Sequence, residues 1–194
     1  MIMDSIKYIK NKIIEKRNLL DKIAQSDLIF NPTLSLEKIR QFEFENHIEL
    51  PLDYKRFISE IGNGGVGPGF GLKSLFDSII DFKLRNRPCI CLNKEFPYQE
   101  KWNESWIASF DWDDDYPESE IVDKYMNTKH IFGCLQIGHW GHGCTFLLVV
   151  NGTEFGNIWL DNRADYSGIS PVLNKENKHI TFSEWYSDWI TNLI

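Results

Sequence analysis

A proline, an apolar stripe and a run of glycines in close succession constrain this chain more than any other stretch. They occur in Leu50-Pro51-Leu52-Asp53-Tyr54-Lys55-Arg56-Phe57-Ile58-Ser59-Glu60-Ile61-Gly62-Asn63-Gly64-Gly65-Val66-Gly67-Pro68-Gly69-Phe70-Gly71-Leu72. Pro51 suits the first helical position, where a missing N–H costs nothing and a fixed φ favours the helix, and Asp53 puts negative charge in the positive first turn. Tyr54, Phe57, Ile58 and Ile61 recur at helical spacing and make one apolar stripe on a helix of about three turns. Gly62-Asn63-Gly64-Gly65 tolerates positive φ and is expected to close that helix through a left-handed cap. Gly67, Pro68, Gly69 and Gly71 prolong the turn. A phosphate-cradling loop has the opposite order, strand, glycines, Lys-Ser/Thr, then helix. Here the helix precedes the glycines and Lys73-Ser74 comes late, so the stretch reads as a structural pivot.

Before the pivot the chain is helical. Ile6, Ile9, Ile13, Leu20 and Ile23 recur at mostly helical spacing between Asp4 and Gln25, predicting an amphipathic helix that packs on the domain or on a second copy of the chain, a possible homodimer contact. Acidic residues among its bases argue against a membrane-surface helix. Phe30-Asn31-Pro32-Thr33 is a break, and a second helix is expected from Ser35, with Leu36, Ile39 and Phe42 buried and Glu43 and Glu45 outward. The boundaries expected are a helix over 1–30 and a single domain over 31–194.

Residues 73–129 follow no clear period. Leu75, Phe76, Ile79, Ile80 and Phe82 suggest a short helix, and Pro88-Cys89-Ile90-Cys91-Leu92 a strand or a loop edge. Trp102, Trp106 and Phe110 to Glu120 interleave aromatics with carboxylates and predict an exposed acidic loop. From Ile131 the pattern turns to β: 131–137, 145–150 and 156–160 read as strands, divided by Gly138 to Gly143 and by a hairpin-type turn at Asn151-Gly152. The middle run is apolar almost throughout, as in a strand covered on both faces. A closing helix is announced by a Thr181/Glu184 capping box, an Ile180/Trp185 staple and a face of Phe182, Trp185, Trp189 and Leu193. An α+β fold follows, with helices covering a mainly antiparallel sheet and an N-terminal helical extension.

The formal charge of −7, with a pI near 5.2, argues against nucleic acid, which demands clustered bases, and favours a basic partner. No run approaches eighteen apolar residues, so no membrane partner is expected. Four cysteines without a signal-type apolar segment read as reduced thiols and the address as cytoplasmic.

Three constellations bear on chemistry. His139, His142 and Cys144, with Cys134 across a hairpin, carry zinc-ligand atoms, but residues three apart on a strand face opposite ways, so a glycine-punctuated turn is the stronger reading. Cys144 beside a histidine has the elements of a nucleophile, yet it opens an apolar strand as a small buried hydrophobe does. Asp111, Asp113 and Asp115 alternate as in a calcium loop, but Tyr116 stands where glycine is needed and no glutamate closes it. No cofactor, metal or catalytic residue is therefore assigned.

Leu50-Pro51-x-Asp53-Tyr54-x-x-Phe57, then Gly62-Asn63-Gly64-Gly65-x-Gly67-Pro68 and Gly71-Leu72, Gly143-Cys144, Leu148-Val149-Val150-x-Gly152, Gly156-x-Ile158-Trp159-x-Asp161, Pro171 and Phe182-x-x-Trp185-Tyr186-x-x-Trp189 together resemble the SUKH superfamily, the Smi/Knr cell-wall-regulator family. The resemblance runs in order from about residue 33 to residue 193 and does not cover 75–129. It implies an α+β SUKH-like domain over 31–194, not an enzyme, in which Pro51, Tyr54, Phe57, Gly62, Asn63, Gly64, Gly65, Gly67, Pro68, Gly71, Trp159 and Trp185 are structural. For compact bacterial members it implies an immunity protein that binds and occludes a cognate polymorphic toxin domain, often a nuclease or deaminase. The alternative is a regulatory scaffold for an endogenous partner such as a cell-wall synthesis enzyme. Asp111, Asp113, Asp114, Asp115, Glu118 and Glu120 are the candidate partner contacts, because negative charge steers an acidic protein onto a basic face.

Overall fold

The structure, a computed structural model, describes residues 2–24, 29–81, 87–88, 90–109 and 117–194. Helices α1 (Ile2–Glu15), α2 (Arg17–Ile23), α3 (Leu36–Asn46) and α4 (Leu52–Glu60) come first. A two-residue antiparallel ladder follows, β1 (Ile80–Asp81) with β2 (Arg87–Pro88), then α5 (Ser119–Tyr125). Strands β3 (Cys134–Gly141), β4 (Cys144–Val149), β5 (Ile158–Asp161) and β6 (Ile169–Pro171) form an antiparallel meander in chain order, and α6 (Phe182–Asn192) closes the fold. This is the expected α+β architecture.

β4 is buried along its whole length because it is central in the sheet and covered on both sides. Neighbouring residues of a strand face opposite ways. Phe146 meets Trp185 of α6 at 4.8 Å between ring centres, whereas Leu147 is paired in register with Trp159, whose indole meets Phe96 at 4.9 Å on the other face. The helical layer is held by aromatic edges: Phe57 of α4 lies 5.1 Å from Phe182 and 4.8 Å from Tyr186, and Tyr54 lies 5.0 Å from Phe182. Such pairs contribute about 0.5–1.5 kcal/mol beyond the area they bury.

Several local expectations are corrected. The helix expected to run from Asp4 to Gln25 is broken at Lys16, whose ψ of 11° lets α2 turn and bring Leu20 into the core; Gln25 lies outside the described residues. α1 packs on α6 and α4, with Ile6 and Ile9 fully buried. In α3, Ser35 Oγ caps Lys38 N at 3.3 Å as expected, but Leu36 is exposed. Glu43 turns inward, pairing with Lys55 Nζ at 2.7 Å and accepting Leu50 N at 2.8 Å. Pro51 precedes α4 rather than opening it, with ψ of 135°, and its carbonyl accepts Lys55 N at 2.9 Å. Asp53 is buried and bridges two helix starts: Oδ1 accepts Tyr54 N and Oδ2 accepts Ser183 N in the first turn of α6, both at 2.9 Å.

The glycine stretch also departs from the expected cap. α4 ends on Phe57 O, which accepts Ile61 N at 2.8 Å and Gly62 N at 3.1 Å, and positive φ begins only at Gly64 and Gly65. Gly62 is needed for space, since a Cβ there would sit 2.4 Å from Phe30 Cβ. Beyond it the chain folds back, Gly65 and Leu72 exchanging backbone hydrogen bonds, and runs along the free side of β3. Phe70 N donates to His139 O at 2.9 Å and Lys73 N to Ile137 O at 2.8 Å. The opposite edge is treated the same way, Trp102 and Ile169 of β6 exchanging N–H···O bonds of 2.8 Å each. Irregular segments thus occupy both edges, whose unpaired amides would otherwise template association.

His139 and Trp140, expected in a turn, belong to β3, and Gly141 pairs with Cys144. The connection is the two residues His142 and Gly143, both at positive φ, the geometry that matches strand twist in tight hairpins. The Asn151-Gly152 turn is part of a longer loop from β4 to β5, and β5 starts at Ile158. β6 was not anticipated. The short helix expected from Leu75 is a single tight turn over Asp77–Ile79 leading into β1, and Phe82 and Cys89 lie outside the described residues. The Thr181/Glu184 box forms, Glu184 Oε2 accepting Thr181 N at 2.8 Å.

Candidate functional site

Four of the six carboxylates expected to contact a partner, Asp111, Asp113, Asp114 and Asp115, lie outside the described residues. Glu118, the residue that precedes α5, and Glu120, in its first turn, are described and exposed, and Glu120 pairs with Lys124 at 2.8 Å. Asp123 adds a third exposed carboxylate on the same helix. The described stretches that flank the acidic run are both fastened to the end of the sheet by one buried network.

Arg163 is its centre. Two residues after Asp161 ends β5, the chain enters a tight turn over Arg163–Asp165 that swings the guanidinium back onto the strand end. Its Nε donates to Asp161 Oδ1 and Nη2 to Asp161 Oδ2, each at 2.8 Å, a bidentate pair sealed from solvent. Nη1 donates to Tyr125 O at 3.1 Å and Asn127 O at 2.9 Å, carbonyls left open where α5 ends. Cations are favoured at that pole of a helix. One side chain thereby joins α5 to the sheet. Removing one partner of such a pair costs about 3–5 kcal/mol, because the other charge is left buried.

Aromatic rings extend the attachment. Trp102 stacks on His130 at 4.3 Å, on Tyr98 at 5.0 Å and on Tyr125 at 5.6 Å, and Trp106 meets Tyr125 edge-on at 5.9 Å. The Tyr125 hydroxyl donates to Asn103 Oδ1 at 2.7 Å and accepts Gly168 N at 3.0 Å. Burial pushes its pKa up to about 12. His130 Nε2 faces Lys124 O at 3.2 Å and must be the protonated nitrogen, so Nδ1 accepts from the Tyr98 hydroxyl. Burial first, then the Arg163 charge, push the His130 pKa down to about 4, so the ring is neutral near pH 7.

The hairpin constellation separates. His142 is exposed at the turn and His139 is half-buried on β3. Cys144 is fully buried, its thiol donating to Asp165 Oδ2 at 3.4 Å. Burial and the Asp165 carboxylate push that thiol up to about 11, the reverse of what a nucleophile needs. Among the described residues no three or more His, Cys, Asp or Glu side chains are grouped to hold a metal. No described helix is long and apolar enough to cross a membrane. The motif residues Tyr54, Phe57, Trp159 and Trp185 are core, and Asn63 Oδ1 accepts Leu75 N at 2.8 Å.

The residues that organise this surface, Arg163, Tyr125, His130 and Asn103, carried no sequence signal beyond the Asp161-x-Arg163 spacing, because their partners are remote in the chain. A scan against protein-family models, a search of curated proteins and a search of solved structures each return no match.

Proposed function

We propose that this protein acts by stoichiometric binding, as an immunity protein of SUKH type that occludes a basic toxin domain such as a nuclease or deaminase. The observation that carries the reading is the mounting of exposed carboxylates: Glu118 at the start of α5 and Glu120 and Asp123 on it share a helix whose far end is held by the buried Arg163–Asp161 pair. Charge fixed on a preorganised platform raises association rate and specificity without an ordering cost on binding. The net charge of −7 adds long-range attraction to a basic face. The raised thiol pKa of Cys144 weighs against the competing hydrolase reading.

The test is to read the frames beside this gene for a toxin domain and to co-express any that is found with this protein. Growth should be rescued, and the isolated complex should loosen as salt rises. Reversing Glu118, Glu120 and Asp123 to lysine should slow association and flatten its salt dependence. Unchanged rates in that triple variant would remove α5 from the contact, and absence of rescue would remove the immunity reading itself.

A further inference from the structure

A groove with a volume of about 550 Å³ lies between the end of α3 and the loop joining β4 to β5, lined by Glu43, Phe44, His47, Glu49, Asn151 and Phe155 among others. Phe44 is 79% exposed, two positions from the buried Phe42 and hence on the polar side of α3. Phe155 is 47% exposed. Neither ring contributes to the core cluster. The backbone beneath each is fixed by hydrogen bonds. His47 adopts left-handed geometry at the end of α3, and Ile48 N returns to Glu43 O at 3.1 Å, which folds Glu49 back beside Phe44. Phe155 rides on a tight loop in which its own N–H donates to Gly152 O at 3.2 Å and Gly156 N to Val149 O at 2.8 Å.

The carboxylates that line the groove are those of Glu43 and Glu49. Lys55 is committed to Glu43 at 2.7 Å and reaches Glu49 only at 3.8 Å, leaving the Glu49 carboxylate 81% exposed in its side chain. Glu45 is exposed on the same turn of helix. Aromatic faces attract cations, arginine above all, and a nearby carboxylate supplies the opposite charge.

We propose that this groove docks an arginine-bearing segment of a protein partner, the guanidinium lying against Phe44 and Phe155 and pairing with Glu49. This surface is separate from the carboxylates of α5, and the inference does not depend on what the partner does.

A fluorescein-labelled peptide of five Gly-Arg repeats, titrated against the full chain, tests it. Binding should be saturable, and Phe44→Ala, Phe155→Ala and Glu49→Gln should each weaken it by about two- to fivefold, the range that exposed cation–π contacts and ion pairs allow. A neutralised triple variant, Glu118→Gln, Glu120→Gln and Asp123→Asn, assayed at about 0.15 M salt where exposed charges beyond about 8 Å are screened, should retain at least half the affinity, which separates this groove from the α5 surface. The three groove residues are exposed, so circular dichroism should report an unchanged fold. Equal binding by a Gly-Leu repeat peptide would overturn the cation assignment. Peptide affinity indifferent to Phe44 and Phe155, or a change of oligomeric state on Phe44→Ala without peptide, would overturn the groove as the docking site.

Discussion

At the scale of single residues, buried titratable groups give the protein an acid-sensitive core. His130 is held neutral by burial and by the Arg163 guanidinium, with its pKa near 4 against an ordinary 6.5. Between those values the unfolded chain binds a proton that the folded chain refuses. Stability must therefore fall as pH drops from 6.5 towards 4. His139 is shifted in the same direction, by burial first and Lys73 second, and adds to the slope. Glu60, lowered to about 2 by Arg56 and then Lys10, acts in a separate window: its stabilisation is complete above 4.5 and lost as pH falls towards 2. That effect is small because the side chain is one-third exposed and screened. Urea unfolding at pH 7 and pH 5 should show a loss of stability at pH 5, and His130→Gln should lose distinctly less. An identical pH 5 penalty in that variant would mean that the imidazole is not the group responsible.

At the scale of elements, the glycine stretch, read first as a helix cap, works as a cover for β3. Gly69 has φ of +66°, and a Cβ there would stand 2.2 Å from His139 O, the carbonyl that Phe70 N engages. Gly69→Ala should cost about 1–2 kcal/mol from left-handed geometry alone, with more from the clash. The specific readout is hydrogen exchange: amide protection at Phe70 and Lys73 should fall well before that of Leu147 or Leu148 on the central strand, and equal loss throughout would deny the loop a separate role. The contrast with other elements shows what a sequence discloses. The α6 boundary was legible because a capping box lies within four residues, and β4 because a strand buried on both faces reads as an unbroken apolar run. Asp53 lies in the first turn of α4 as its spacing predicts, but its second contact, the amide of Ser183, is hidden because it lies 130 positions away. β6 has three residues, too few to show a period. The Arg163 network hides because the carbonyls it reaches lie 36 and 38 positions upstream.

At the scale of the whole molecule, α1 belongs to the same hydrophobic core as α4, α6 and the sheet. Tyr8 meets Thr191 at 2.9 Å, and Lys16 Nζ donates to Leu193 O at 2.8 Å. Ile6→Ala and Ile9→Ala should each cost about 2–5 kcal/mol, a large part of the roughly 5–15 kcal/mol that holds a domain together. Ile14→Ala, at an exposed position, should stay within about 0.5 kcal/mol. Urea midpoints of the three variants decide the matter, and a detachable helix would leave all three alike. This packing also governs the order in which the protein can acquire its shape during synthesis. The Tyr8–Thr191 contact spans 183 positions, so at about 5–20 residues per second the first helix waits on the order of 10–40 s for the last one. Throughout that interval α1 has α4 but lacks α6, the larger part of its surface, and the nascent chain presents the uncovered part to whatever chaperone is near.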